Sequence, residues 1–214
     1  MAPGWPVELS DGAVTLRPLR MRDAPAWMES RRGNVEWLRQ WEATPPRGPN
    51  TFGMSAAVFT AMTRRLRSDA RAGRALPFVI LLDGEFAGQL TVAGIVRGSM
   101  DSAHIGYWVD QRVAGRGVMP TAVALVVDHC FGPVGLHRLE VNIRPENTAS
   151  RRVVEKLAFR EEGLRQRYLH IAGDWRDHAT YALVRDDVPM GLLHRWHERQ
   201  RTDLTTRPPR DTPT

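Results

Sequence analysis

Residues 103–117 read Ala103-His104-Ile105-Gly106-Tyr107-Trp108-Val109-Asp110-Gln111-Arg112-Val113-Ala114-Gly115-Arg116-Gly117, and an apolar run follows from Val118 to Phe131. Ile105 to Val109 has the β-branched and aromatic content of a strand. Arg112 to Gly117 then sets two glycines at a bend that opens directly into a helix. Glycines let backbone N–H groups turn inward, and the helix that follows points its positive end at the same place. That arrangement predicts a phosphate-binding loop. It is not a P-loop, because no lysine follows Gly117. Nor is it a dinucleotide fingerprint, because Pro120 stands where the third glycine belongs.

Downstream, Arg138 to Ile143 reads as a strand and Thr148 to Leu157 as a helix. Asn147 is a good N-cap for that helix. Ser150 falls at the N3 position, where a capping box would carry Glu or Gln, so capping does not explain the serine. Asn142 lies inside a strand, where asparagine is disfavoured, and a hydrogen-bonding duty would account for it. A long hairpin follows, from Arg160 to Ile171 and from Trp175 to Val184, turning at Gly173-Asp174.

Upstream, residues 1–12 are rich in Pro and Gly and are expected to lie loosely as far as Val7. Val14 to Leu19 reads as a first strand, with Pro18 at an edge or at its end. Asp23 and Asn34 are expected to cap two short helices, the second carrying Trp37, Leu38 and Trp41 on one face. Met54 to Ala72 reads as a longer amphipathic helix. Leu76 to Leu82 and Phe86 to Val96 form a hairpin about Asp83-Gly84. A strand–helix–strand unit between antiparallel hairpins predicts a mixed sheet with helices on both faces. After residue 185, Asp186 to Arg199 is expected to form a terminal helix, and residues 201–214 a disordered tail.

With 214 residues the chain can bury a sizeable core, and its single cysteine, Cys130, excludes an intrachain disulfide and suits a reducing compartment. No run reaches the length of a membrane span, and no secretory signal is visible at the N-terminus. These features point to the cytoplasm. The net charge is +6 and nearly all the basic residues are arginine. Three accounts compete for that excess: codon bias, a surface attracting an anionic cofactor, and nucleic-acid binding. No nucleic-acid module or arginine–aromatic interleaving supports the third. The histidines are scattered, and no metal-ligand spacing appears.

The loop matches the Q/R-x-x-G-x-G/A element of the GNAT superfamily of N-acetyltransferases. Asn147 to Phe159 resembles the N-x-x-S…K-x-G-F element of Rim-type acetyltransferases, which acetylate ribosomal-protein N-termini. Leu16 to Asp23 also looks like the start of Rim-type chains. The resemblance covers residues 7–185. It implies a GNAT fold of the α/β (α+β) class, with a mostly antiparallel sheet of six to seven strands, over a domain 1–185. It implies acetyl-CoA as donor and no metal. Pantetheine would lie along the strand ending Tyr107-Trp108-Val109. The pyrophosphate would meet the N–H groups of Gly115, Arg116, Gly117, Val118 and Met119, with Arg112, Asn142 and Asn147 as further contacts. Ser150 matches the family's candidate acid, with Tyr168 as the alternative.

Rim-type chains often carry glutamate where this chain has His104, and histidine suits base work. Leu169 stands where some relatives carry glutamate, which leaves His170 as a minor candidate. Ala158 replaces the usual glycine of the helix-ending turn. The oxyanion would meet a backbone N–H near Val109. Trp27, Trp37, Trp41, the helix from Met54 and the hairpin around Trp175 would wall the acceptor site. The expected acceptor is a protein or peptide N-terminus, with no nucleic acid or membrane partner and a monomer or homodimer as the working form. Acetylation of an aminoglycoside or polyamine, and a non-catalytic acyl-CoA-binding module, remain alternatives.

Overall fold

The computed structural model describes residues 3–47 and 55–205. Eight strands form one sheet in the order β1-β2-β3-β4-β5-β6-β8-β7. They are β1 (Leu9–Asp11), β2 (Val14–Pro18), β3 (Ala75–Leu82), β4 (Glu85–Val96), β5 (Ser102–Val109), β6 (Arg138–Ile143), β7 (Arg160–Ile171) and β8 (Asp174–Val184). All neighbours pair antiparallel except β5 and β6. The mixed, mostly antiparallel sheet is therefore as expected, with one strand more. The addition is β1, just beyond the stretch expected to lie loosely as far as Val7. Its three residues pair with β2, and nearby Trp5 packs edge-on against Phe78 at 5.0 Å.

The helices are α1 (Ala24–Gly33), α2 (Val35–Arg39), α3 (Ala56–Arg71), α4 (Val118–Phe131), α5 (Thr148–Lys156) and α6 (Leu192–Thr205). Helix α4 is apolar around nearly its whole circumference, and it sits in the centre of the larger core. Helices α5 and α6 supply Val154, Leu192 and Trp196 to that same core. Helices α1 and α3 cover the other face of the sheet, where Trp27 and Phe59 pack on Val79 in a smaller cluster. Helices thus flank both faces.

Several boundaries differ from expectation. Helix α3 begins with Ser55 as its cap, and the expected start at Met54 lies outside the described residues. Asp23 does not cap α1. It takes the Arg20 N–H at 2.8 Å and pairs with Arg17, closing the turn before the helix. Asn34 does not cap α2 either, because its side chain bonds elsewhere. Helix α6 starts at Leu192 rather than Asp186, because Arg185–Asp187 form a separate 3-10 turn. It also runs on through 201–205, part of the stretch expected to be a tail. The remainder of that tail lies outside the described residues. Among the described residues, no helix is long and apolar enough to cross a membrane.

Candidate active site

The parallel pairing of β5 and β6 covers three positions only, Ser102 with Arg138, Ala103 with Leu139 and His104 with Glu140. Beyond His104 the two strands separate, although β5 continues to Val109 and β6 to Ile143. Strand β4 pairs with the other edge of β5 as far as Val109. The edge of Ile105 to Val109 that looks toward β6 therefore has no strand partner. Such an edge can take up an extended ligand as an added strand.

Side chains alternate across this wedge. Ile105, Tyr107 and Val109 turn toward α4 and the larger core. His104 and Trp108 turn to the face covered by α1 and α3, where Trp108 packs on Phe86 at 5.9 Å.

The glycine loop lies at the open end. Gly115 and Gly117 have φ of +80° and +81°, in the left-handed region where a Cβ is strained, and Gly117 is the N-cap of α4. The N–H groups of Gly115, Gly117, Val118 and Met119 have no backbone acceptor outside the helix. The first turn of α4 offers none inside it. Pro120, one residue on, has no N–H to leave unpaired. Arg116 is exposed in this loop.

Arg112 Nε and Nη2 donate to Asp110 at 3.0 and 2.8 Å. Asp110 is 1% exposed and also accepts from the Ser30 hydroxyl at 2.8 Å. Burial pushes its carboxyl up, but Arg112 and the Ser30 hydroxyl outweigh that and hold it at about 2. Asn34 donates to the Ser30 carbonyl at 2.7 Å and accepts from the Gln111 N–H at 2.7 Å. Two side chains of the α1 end thus fasten the start of the loop.

Across the wedge, the Asn147 side-chain oxygen accepts from the Ser150 N–H at 3.0 Å, so Asn147 is the N-cap of α5. The Ser150 hydroxyl is 2.8 Å from the Tyr107 hydroxyl. Burial pushes the Tyr107 phenol well above the usual tyrosine range, while the bond to Ser150 pulls the other way. Tyr107 therefore stays protonated. Strand alternation in the sequence puts Tyr107 on the face of Ile105 and Val109; its partner, 43 residues away, is visible only in the fold.

His104 stands where the strands part, on the opposite face. Its register partner Glu140 accepts from Arg138 at 3.0 Å and from Arg165 at 2.6 Å. Burial lowers the His104 pKa, Glu140 raises it and Arg165 lowers it, for a net shift downward.

Asn142, expected with the cofactor, is on this same face: its neighbours Val141 and Ile143 enter the larger core and it does not. Its oxygen accepts from Thr180 at 2.8 Å. Tyr168, the alternative acid, is on β7, the outermost strand, edge-on to His178 at 5.6 Å. His170 bonds Thr44 at 2.8 Å and faces Trp175, so it anchors a loop.

That loop bridges the wedge on the His104 face. Ala43 pairs with Ile171, and Arg144 bonds the Gln40 carbonyl at 2.7 Å while stacking on Trp41 at 5.3 Å. Arg31 pairs with Glu42 and lies over both Trp27 and Trp108. Trp27 is buried and Trp41 half-buried. Among the described residues, no group of three or more His, Cys, Asp or Glu side chains could hold a metal ion.

The wedge thus has two compartments. One face carries free helix-start amides and a hydroxyl pair, and the other carries the exposed His104. An acetyltransferase (GNAT) domain family matches residues 13–160. The chain is 43% identical to Mycobacterium smegmatis RimJ, solved in complex with CoA-disulfide; the match has a TM-score of 0.89 and covers 94% of this chain and 98% of that one. The ribosomal-protein-S5-alanine acetyltransferase of Vibrio fischeri is 26% identical, with a TM-score of 0.75 over 85% of this chain and 98% of that one. The ribosomal protein uS5-alanine N-acetyltransferase of Escherichia coli is 28% identical over 187 residues, 86% of this chain and 94% of that protein.

Proposed function

The chain belongs to the GNAT acetyltransferase family, and on that premise we propose that it acetylates the N-terminal α-amine of a protein, of the ribosomal-protein kind, in the cytoplasm. It is an acetyl-CoA-dependent N-acetyltransferase. The observation that carries the reading is the wedge between β5 and β6, with unpaired helix-start amides on one face and His104 on the other.

The residues fit the donor. Gly115 has open space around it, and the unpaired amides of the loop and of the first turn of α4 suit a diphosphate. The free edge of β5 suits the amide-bearing pantetheine arm. When bound, acetyl-CoA supplies an activated acetyl thioester. An unpaired N–H of β5 near Val109 would donate to the thioester carbonyl oxygen.

Ser150 acts at the positive end of α5, where a thiolate is stabilised, and its hydroxyl gives up a proton there. Tyr107 keeps the serine oriented and supplies a hydrogen bond as that proton leaves. On the other face His104 accepts the proton of the incoming amine. An α-amine with pKa near 8 is about one-tenth neutral at pH 7, whereas a lysine amine is about one part in 2,500 neutral. A modest base thus suffices for an N-terminus. Transfer is direct, in a ternary complex. Cys130 is fully buried and burial pushes its thiol up to about 12, so it supplies no thiolate for a covalent relay.

The test is a thiol-release assay with four acceptors: α-amino peptides from ribosomal proteins, lysine peptides with blocked N-termini, aminoglycosides and polyamines. Turnover is expected on the first. Turnover confined to the last two would assign a small-molecule substrate, and CoA binding without turnover on any would assign a binding module.

A further inference from the structure

Helix α6 runs antiparallel to α4, and three contacts fix its register. Asp128, near the end of α4, accepts from the Leu193 N–H at 3.0 Å and also from that of Leu192. The indole N–H of Trp196 donates to Thr121 at 2.9 Å in a buried bond. One turn further, the Gln200 side-chain nitrogen and Trp196 each lie 3.8 Å from where a Gly117 Cβ would be. Successive turns of α6 thus step down α4 and arrive at the glycine that opens it.

Helix α6 does not stop there. It continues to Thr205, five more residues at about 1.5 Å each, and so passes beyond the first turn of α4. Beside Gln200, Arg199 donates to the carbonyls of Glu155 and Lys156, both at 3.2 Å, and ties α6 to the last turn of α5. Trp196 is buried and committed to Thr121, whereas Gln200 is half-buried and its side chain makes no hydrogen bond among the described residues. An amide at the rim of a phosphate loop, without an internal partner, is suited to donate to a phosphate oxygen.

We propose that α6 forms the outer wall of the CoA site and that Gln200 binds the nucleotide end of the cofactor, donating its side-chain N–H to the diphosphate held at Gly117. The proposal rests on the acetyl-CoA reading above. It makes Gln200 a residue that distinguishes a nucleotide-bearing donor from a bare pantetheine thioester.

The test compares the wild type with Gln200→Glu and Gln200→Ala. CoA affinity is measured by calorimetry, and kcat/KM is measured with acetyl-pantetheine, which lacks the diphosphate. The carboxylate of Gln200→Glu is expected to weaken CoA at least about tenfold by repelling phosphate. Gln200→Ala is expected to weaken it by about threefold to tenfold, the worth of one hydrogen bond. Both variants should use acetyl-pantetheine as the wild type does. Unchanged CoA affinity in both variants would overturn the proposal. So would an equal loss with CoA and acetyl-pantetheine, which would mark a general distortion. A wild type that binds no CoA would instead overturn the acetyl-CoA reading, and this proposal with it.

Discussion

The hydroxyls of Tyr107 and Ser150 lie 2.8 Å apart, one on the free-edged end of strand β5 and the other in the first turn of α5. They span the gap where β5 and β6 no longer pair. Replacing Ser150 with Ala removes the proposed acid and should lower kcat by about 10²–10⁴-fold, leaving the Kd for CoA nearly unchanged. Tyr107→Phe removes only the supporting bond and should cost about tenfold in kcat. Single-turnover rates and calorimetry on the two variants check this; equal wild-type rates in Ser150→Ala would remove it as the acid.

The His104 pKa lies below its ordinary value of 6.5. As the base it must be neutral, so kcat/KM should rise with pH through an apparent pKa below 6.5 and then level. His104→Gln should abolish that acidic limb and lower the rate by about 10²-fold. A pH profile on one peptide decides it, since a limb that survives the substitution belongs to another group.

Asp110 is held at about 2, below its ordinary 3.8. A depressed carboxyl stabilises the fold above its unfolded pKa, and that contribution is lost as pH falls from about 4 toward about 2. Asp110→Asn should therefore lower stability at neutral pH and flatten the pH dependence of unfolding across that acidic window. It should also weaken CoA, because Arg112 and the start of the loop lose their anchor. Denaturant unfolding at several pH values, with calorimetry, reads both effects.

Ala158 has φ of +56°, the left-handed position that ends α5. The turn is a Schellman motif, with Phe159 N–H bonded to Val154 at 3.0 Å and Ala158 N–H to Glu155 at 3.2 Å. Ala158→Gly relieves the strain and should raise stability by about 1 kcal/mol with kinetics unchanged. Thermal unfolding measures it, and a lower midpoint would contradict the reading.

The parts legible in the sequence were those set by local chemistry. The Asp83-Gly84 turn has φ of +51° and +83°, as its two residues require. The glycine loop, α4 and the last hairpin were readable for similar reasons. Strand β1 was not, because three residues carry no periodicity and become a strand only by pairing with β2. Asn34 looked like a helix cap by type, yet its oxygen reaches the N–H of Gln111, 77 residues away. The Tyr107–Ser150 contact and the approach of Gln200 to Gly117 are likewise products of tertiary packing. Asn142 was assigned to the cofactor from an unusual residue in a strand. The face on which it lies depends on register, and Thr180 is its partner.

The claim on which the rest depends is that the unpaired edge of β5 and the amides of the loop grip one acyl-CoA molecule together. Hydrogen–deuterium exchange with and without CoA tests it most directly. Protection is predicted in two separate stretches, residues 105–109 and residues 115–119, appearing together as CoA saturates. Binding that releases heat but leaves the 105–109 amides exchanging at their free rate would contradict the account.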